Sequence, residues 1–160
     1  MNNLSFHITD ITANSIRANA SEIGLSVEEQ DTRIVIRITD NGLGMDAETA
    51  RRVTNPFYTT RTTRKVGLGL PFLIQNAEQT GGSVTLTSEP GKGTKVRAVF
   101  HSDHIDCPPW GDLPGTVALL ITGNPEINVY FEYRSGETGY SISTNEIKEI
   151  LDGVSLSHPK

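Results

Sequence analysis

The stretch RIVIRITDNGLGM, residues 33–45, changes character halfway along. Ile34, Ile36 and Ile38 alternate with other residues in the period-two pattern of a strand with one buried face. Asp40 falls on that same face, and a carboxylate ending an apolar stripe is costly unless a backbone group or a ligand donates to it. Asn41, Gly42 and Gly44 then make a tight turn of nearly bare backbone before Met45, so a flat ring can approach closely. A carboxylate accepts hydrogen bonds and cannot donate them, so such a pocket selects a base with an exocyclic amino group, adenine over guanine. Read alone, an Asp-Asn-Gly turn is also common without any ligand.

Working outward, the residues before this stretch read as a helix over 4–20. Leu4, Ile8, Ile11 and Ala18 follow helical spacing towards a core, whereas His7, Asp10, Asn14 and Arg17 form a second, polar stripe. His7 is expected to be a supporting or solvent-facing histidine rather than a phosphate acceptor. A strand is expected over 24–29. After Gly44, Asp46 caps a short helix to about residue 53, which Asn55 and Pro56 break. From Arg51 to Lys65 the chain carries five basic residues and no carboxylate, a segment suited to phosphate. Gly67 and Gly69 open a helix over 70–79, which Gly81 and Gly82 end. A hairpin follows, with strands over 83–88 and 94–100.

Residues 101–115 read as an irregular boundary, residues 117–121 are too short to classify, and 127–133 with 139–142 form a second hairpin. Ser143 and Glu146 have the spacing of a capping box for a last short helix, with Gly153 at its C-cap position. The expected organisation is thus one domain over 1–100 and an acidic extension over 101–160. Whether that extension continues the main sheet or packs as its own lobe is open from sequence.

Net charge is -5, with 11 Lys+Arg against 10 Asp+Glu in residues 1–100 and 3 against 9 in residues 101–160. An acidic third of the chain speaks against a nucleic-acid partner. The 36% of apolar residues suffices for one core but contains no run of bilayer-spanning length, so no membrane partner is expected. Residues 1–10 lack the basic start and apolar stretch of a secretory signal, and the single cysteine, Cys107, cannot form an internal disulfide. The expected compartment is the cytoplasm.

A triphosphate ligand must be neutralised, usually with magnesium, which prefers oxygen ligands and keeps several waters. Asn14 offers a neutral carbonyl oxygen as metal ligand. Asp10, one turn earlier on the same face, is the candidate catalytic residue, placed to orient or deprotonate an attacking water. Arg17 can touch phosphate, and glycines at a helix start, Gly67 and Gly69, turn amide donors and the helix dipole towards it. A solvated polar helix face accounts equally well for Asp10, Asn14 and Arg17 taken by themselves.

Two other patterns fail on context. Gly42, Gly44 and Ala47 match a loose dinucleotide-binding fingerprint, but no second apolar strand follows the helix. His101, His104 and Cys107 with Asp103 and Asp106 have metal-like spacing, but Pro108 and Pro109 follow at once and a linker is the better reading. No Walker A sequence is present, since Gly91 and Lys92 are followed by Gly93.

Taken in order, Asp10 to Asn14, Asp40 to Met45, Gly67 to Leu70 and Gly91 to Thr94 resemble the motifs of the GHKL (histidine kinase-like) ATPase superfamily, over roughly residues 4–100. The resemblance implies a two-layer α/β sandwich of the Bergerat type, a mixed sheet with helices on one face. It also implies ATP and Mg2+ as ligands. Asn14 would bind magnesium and Asp40 the adenine amino group, while Gly42, Gly44 and Met45 would shape the pocket. Thr60, Arg61 and Lys65 would lie on a lid over 57–66. Gly67, Leu68, Gly69 and Leu70 would contact phosphate, with Arg17 nearby, and Thr94 would lie near the base. Residues 55–60 and the Asn14-x-x-Arg17 spacing are similar to the histidine-kinase branch. Where hydrolysing branches have glutamate, this chain has Asp10, one methylene shorter. With the ATP motif beginning at residue 10, the dimerisation helices of a sensor kinase are not expected upstream.

The tail is similar to the C-terminal part of small stand-alone ATP-binding proteins of anaerobic bacteria, some associated with iron hydrogenase and redox genes. The expected function is a regulatory Mg-ATP-binding protein with weak ATPase or protein phosphotransfer activity. The alternative is a non-catalytic ATP sensor that docks a protein partner. A homodimer is compatible with both.

Overall fold

The structure is a computed structural model that describes residues 3–54 and 69–151. The chain begins with helix α1 (Leu4–Arg17), followed by strands β1 (Glu22–Gln30) and β2 (Arg33–Asp40) and helix α2 (Ala47–Thr54). Helix α3 (Gly69–Gln79) leads into the hairpin β3 (Ser83–Glu89) and β4 (Gly93–His101). Then come α4 (Leu113–Thr122), β5 (Asn128–Ser135), β6 (Thr138–Ser143) and α5 (Thr144–Leu151).

The strands form one six-stranded sheet in the order β3-β4-β2-β1-β5-β6. All neighbours pair antiparallel except β1 and β5, which run parallel, so the sheet is mixed. The extension therefore continues the main sheet. Alternation decides which side is covered: Ile34, Ile36 and Ile38 lie in register with Phe100, Ala98 and Val96 on one side, and Ile36 and Ile38 with Val27 and Leu25 on the other. All of these are at most 4% exposed. The helices pack over this face, where Leu4, Ile8 and Ile11 of α1, Leu73 and Ala77 of α3, and Val117 and Leu120 of α4 complete one core. Burying a side chain such as Phe100 contributes about 3 kcal/mol.

Helix α1 ends at Arg17 rather than at residue 20, because Asn19 adopts a left-handed conformation (φ 62°) that stops the helix. Its start is fixed from the far end of the sequence: Leu4 N donates to Pro109 O (2.8 Å), and Ser5 N and Oγ donate to Trp110 O (3.0 and 2.6 Å). The irregular stretch expected over 101–115 ends sooner, at Asp112, whose carboxylate accepts from Gly115 N and caps α4. Residues 117–121, unclassified from sequence, belong to that helix. Glu146 N donates to Ser143 Oγ (3.2 Å), as the capping pattern predicts, while Gly153 lies outside the described residues. No helix among the described residues is long and apolar enough to cross a membrane.

Candidate functional site

Between α1, α2, the N-terminus of α3 and the ends of β2 and β4 lies a cavity of about 220 Å³. Asp40 stands in its wall at the last position of β2, directly in register with Thr94 of β4. The question posed by a carboxylate on a buried stripe has a concrete answer. Ser15 Oγ donates to Asp40 Oδ2 (2.6 Å) and Gly42 N donates to Asp40 Oδ1 (2.8 Å). These two donors fix the carboxylate plane and leave lone pairs for a further donor entering the cavity.

The loop over 41–45 that supports this arrangement is tied down on both sides. Asn41 Oδ1 accepts from Ser21 N and Glu22 N (both 2.9 Å), Leu43 N donates to Ala18 O (2.9 Å), and Gly91 N donates to Leu43 O (2.7 Å). Ser88 Oγ accepts from Met45 N (2.8 Å) and lies 2.8 Å from Thr94 Oγ1, linking this loop to the hairpin turn. Gly44 has φ 72°, and a Cβ there would sit 1.9 Å from Glu89 O. Only glycine fits.

The other end of the cavity is built differently. Asn14 and Arg17 line it, and the Arg17 guanidinium donates to Asn14 Oδ1, the oxygen expected to meet a cation. Asp10 lies one turn earlier, its Cβ and Oδ2 3.3 and 3.4 Å from where a Cβ on Gly69 would be, so bare backbone lets α3 start against this carboxylate. Partial burial raises the Asp10 pKa above the ordinary carboxylate value, and the nearby Arg17 charge pulls it back down.

Most of the sequence-predicted residues thus converge. Asn14, Arg17, Asp40, Gly44, Met45, Leu70 and Thr94 all line the cavity. Gly42 supports it from behind, against Ala18, and Gly69 supports Asp10. Thr60, Arg61, Lys65, Gly67 and Leu68 lie outside the described residues. The sequence reading missed Ser15, whose signal is a hydroxyl at helical spacing from Ile8 and Ile11, on a face where it needs an acceptor. It also missed Thr49 and Val53, which bring α2 to the cavity wall.

Of the two readings of His7, the solvent-facing one is overturned: off the cavity, it is 1% exposed, wedged between α1 and α3 with its ring 5.2 Å from that of Phe72 and 6.3 Å from that of Phe100. Nε2 lies 2.8 Å from Asn76 Nδ2, and Nδ1 is buried with no hydrogen-bond partner among the described residues. Burial lowers its pKa to about 4, so the ring is neutral at pH 7.

The two discarded patterns stay discarded. Strand β2 is antiparallel to both its neighbours, which excludes the parallel β-α-β unit of a dinucleotide fold. His104 Nδ1 accepts from Asp106 N (3.0 Å) within a local turn, and no cluster of three metal-ligating side chains exists among the described residues.

Comparison with known proteins agrees with this geometry. A profile of the "Histidine kinase-, DNA gyrase B-, and HSP90-like ATPase" family matches residues 3–104. Among curated proteins, the chain is 29% identical over 104 residues to the sensor histidine kinase YxdK of Bacillus subtilis (61% of this chain, 32% of that protein). It is 40% identical over 73 residues to sporulation kinase E of the same organism (46% and 9%). The chain therefore spans less than a third of these relatives' length. The ATPase domain of Aquifex aeolicus MutL, solved with ADP, superposes with a TM-score of 0.55 at 16% identity, covering 95% of this chain and 70% of that one. The N-terminal domain of a DNA repair protein gives a TM-score of 0.57 at 16% identity, covering 88% and 51%. With the family profile matched across the whole cavity-forming region, the chain belongs to the histidine kinase-, DNA gyrase B- and HSP90-like ATPases.

Proposed function

We propose that this chain binds Mg-ATP as a regulatory module, with weak ATPase or protein phosphotransfer activity. The observation that carries the reading is Asp40, the carboxylate in the cavity wall, oriented by Ser15 and Gly42 to accept from an amino group entering the cavity. Adenine presents such a donor, and guanine presents a carbonyl in its place. The far end, with Arg17 and the N-terminus of α3, suits the phosphates.

Magnesium fits the donor set in chemistry. Asn14 Oδ1 is a neutral oxygen at the cavity edge, and Arg17, which now holds it, has phosphate as an alternative partner. Bound there, the ion would neutralise phosphate charge. Asp10 and Asn14 are the residues to hold or orient it, and Asp10, its pKa raised by burial, is the chain's candidate base for a water.

A second reading, an ATP sensor that docks a protein partner without turnover, is favoured by the short Asp10 side chain and by the Arg17–Asn14 contact across the end where chemistry would occur. Both readings require nucleotide binding, and calorimetry with Mg-ATP tests it; absence of binding heat removes both. Following labelled terminal phosphate, with and without cell extract, then separates them. Label in a second protein identifies phosphotransfer. Label as free phosphate that disappears in Asp10→Asn identifies an ATPase, and binding with neither identifies the sensor.

A further inference from the structure

The sheet has a second face that no helix among the described residues covers, and its charges are sorted. On this face the neighbouring strands β2 and β4 carry Arg33, Arg37, Lys95 and Arg97, with no carboxylate between them. The adjoining strands β1 and β5 carry Glu22, Glu28 and Glu132, with Arg134 as their one base. Arg37 and Arg97 are directly opposed in register, an arrangement of like charges that destabilises a sheet when nothing acidic lies over it. Within the chain only part of this charge is met: Arg37 reaches Glu28 (3.6 Å) and Arg134 reaches Glu132 (3.7 Å), while Arg33, Lys95 and Arg97 have no carboxylate partner among the described residues.

We propose that this face is a self-complementary interface through which two copies of the chain associate. One cross-strand row runs Glu132, Ser26, Arg37, Arg97 across β5, β1, β2 and β4. A two-fold axis parallel to the strands, above the β1–β2 boundary, exchanges the outer members of this row. Glu132 of one copy then lies over Arg97 of the other, Arg97 over Glu132, and Ser26 over Arg37. The neighbouring row, Tyr130, Gly24, Thr39, Lys95, obeys the same exchange: Tyr130, 49% exposed, comes over Lys95, and Gly24 leaves room over Thr39. In the third row Glu28 and Arg134 of one copy come over Val35 and Val99 of the other, so no like charges meet there. An isologous contact of this kind makes the Glu132–Arg97 pair twice. Two sheets stacked this way are in the aligned packing that sandwich proteins use. Six strands averaging about eight residues span roughly 24 by 26 Å, about 600 Å² before side chains are counted. That is commensurate with the ~800 Å² per partner of a stable interface. This interface does not depend on nucleotide binding.

Sedimentation equilibrium of the full chain tests it through charge exchange. The wild type should dimerise, with a constant that weakens at least about tenfold when salt rises from about 0.05 to 0.5 M. Arg97→Glu and Glu132→Arg should each weaken the dimer at least tenfold, and the double variant should return to within about threefold of wild type at low salt, since the pairs re-form with reversed sign. Circular dichroism confirms that each variant is folded, and Lys95→Glu serves if Arg97→Glu is not. A wild type monomeric at about 500 μM, single variants that dimerise like wild type, or a folded double variant with no recovery would overturn the proposal.

Discussion

The two ends of the cavity are held by different means. At the base end, Asp40 receives two donors, the 41–45 loop is bonded to β1, α1 and the β3–β4 turn, and Gly44 packs backbone against backbone. At the phosphate end, among the described residues, Asp10, Asn14 and Arg17 rest on one side chain–side chain hydrogen bond, a charge and a glycine contact. The base end is set by covalent geometry and a network of hydrogen bonds to neighbouring elements, and the phosphate end by charged groups free to exchange partners. Recognition is therefore part of the fold, whereas chemistry is conditional on what else arrives.

The sharpest way to break this contrast is Gly44→Ala. Its methyl group would meet Glu89 O at 1.9 Å in a left-handed conformation, and we expect a loss of roughly 4 kcal/mol in denaturant unfolding. A loss under about 1 kcal/mol would show that the loop yields and that the base end is not rigid. Acid probes the α1–α3 contact, which His7 makes away from the cavity wall. Its folded pKa of about 4 lies below the ordinary 6.5, so the unfolded chain binds the proton first. Its contribution is complete above pH 6.5 and is lost as the pH falls towards 4, about 3 kcal/mol over the window. A His7→Gln variant whose stability declines as steeply as wild type between those values would assign the effect elsewhere.

Smaller effects grade the base end. Asp40→Asn keeps the shape but replaces an acceptor with a donor, and ATP affinity should fall about 50-fold by calorimetry with little change in unfolding midpoint. Ser15→Ala removes one of the two donors that orient Asp40, and an affinity loss of about fivefold is expected. Unchanged affinity would mean that Gly42 suffices. Least of all, Arg17→Ala should alter stability by no more than about 0.5 kcal/mol, since Arg17 is exposed, while shifting the magnesium dependence of ATP binding by freeing Asn14. A large stability loss would contradict a loosely held phosphate end.

What the sequence made legible follows the same division. The base end is local: an alternating strand, a terminal carboxylate and glycine turns occupy thirteen consecutive residues, 33–45, and their chemistry can be read in order. Ser15 escaped because a single hydroxyl on an apolar face makes no pattern, and its meaning depends on Asp40, 25 residues away. His7 misled because its spacing from Asp10 and Asn14 is helical, yet the wheel does not show that α3 packs over that edge of α1. Helix α4 was invisible for the opposite reason: LPGTVALLIT has almost no polar residue, so a 3.6-residue period has nothing to contrast against. The parallel pairing of β5 with β1 is also beyond local reading, because register across a hundred residues leaves no trace in either strand.

That pairing sets a limit on transplanting the pocket. Eight residues of β1, from Glu22 to Glu29, find their partners in β5, and the first turn of α1 hangs from Pro109 and Trp110. A graft cut at residue 104, where the family profile stops, would carry every cavity-lining side chain and still expose a bare row of amides and carbonyls, an adhesive margin in the middle of what had been a sheet. The portable unit runs to the end of β6, at Ser143.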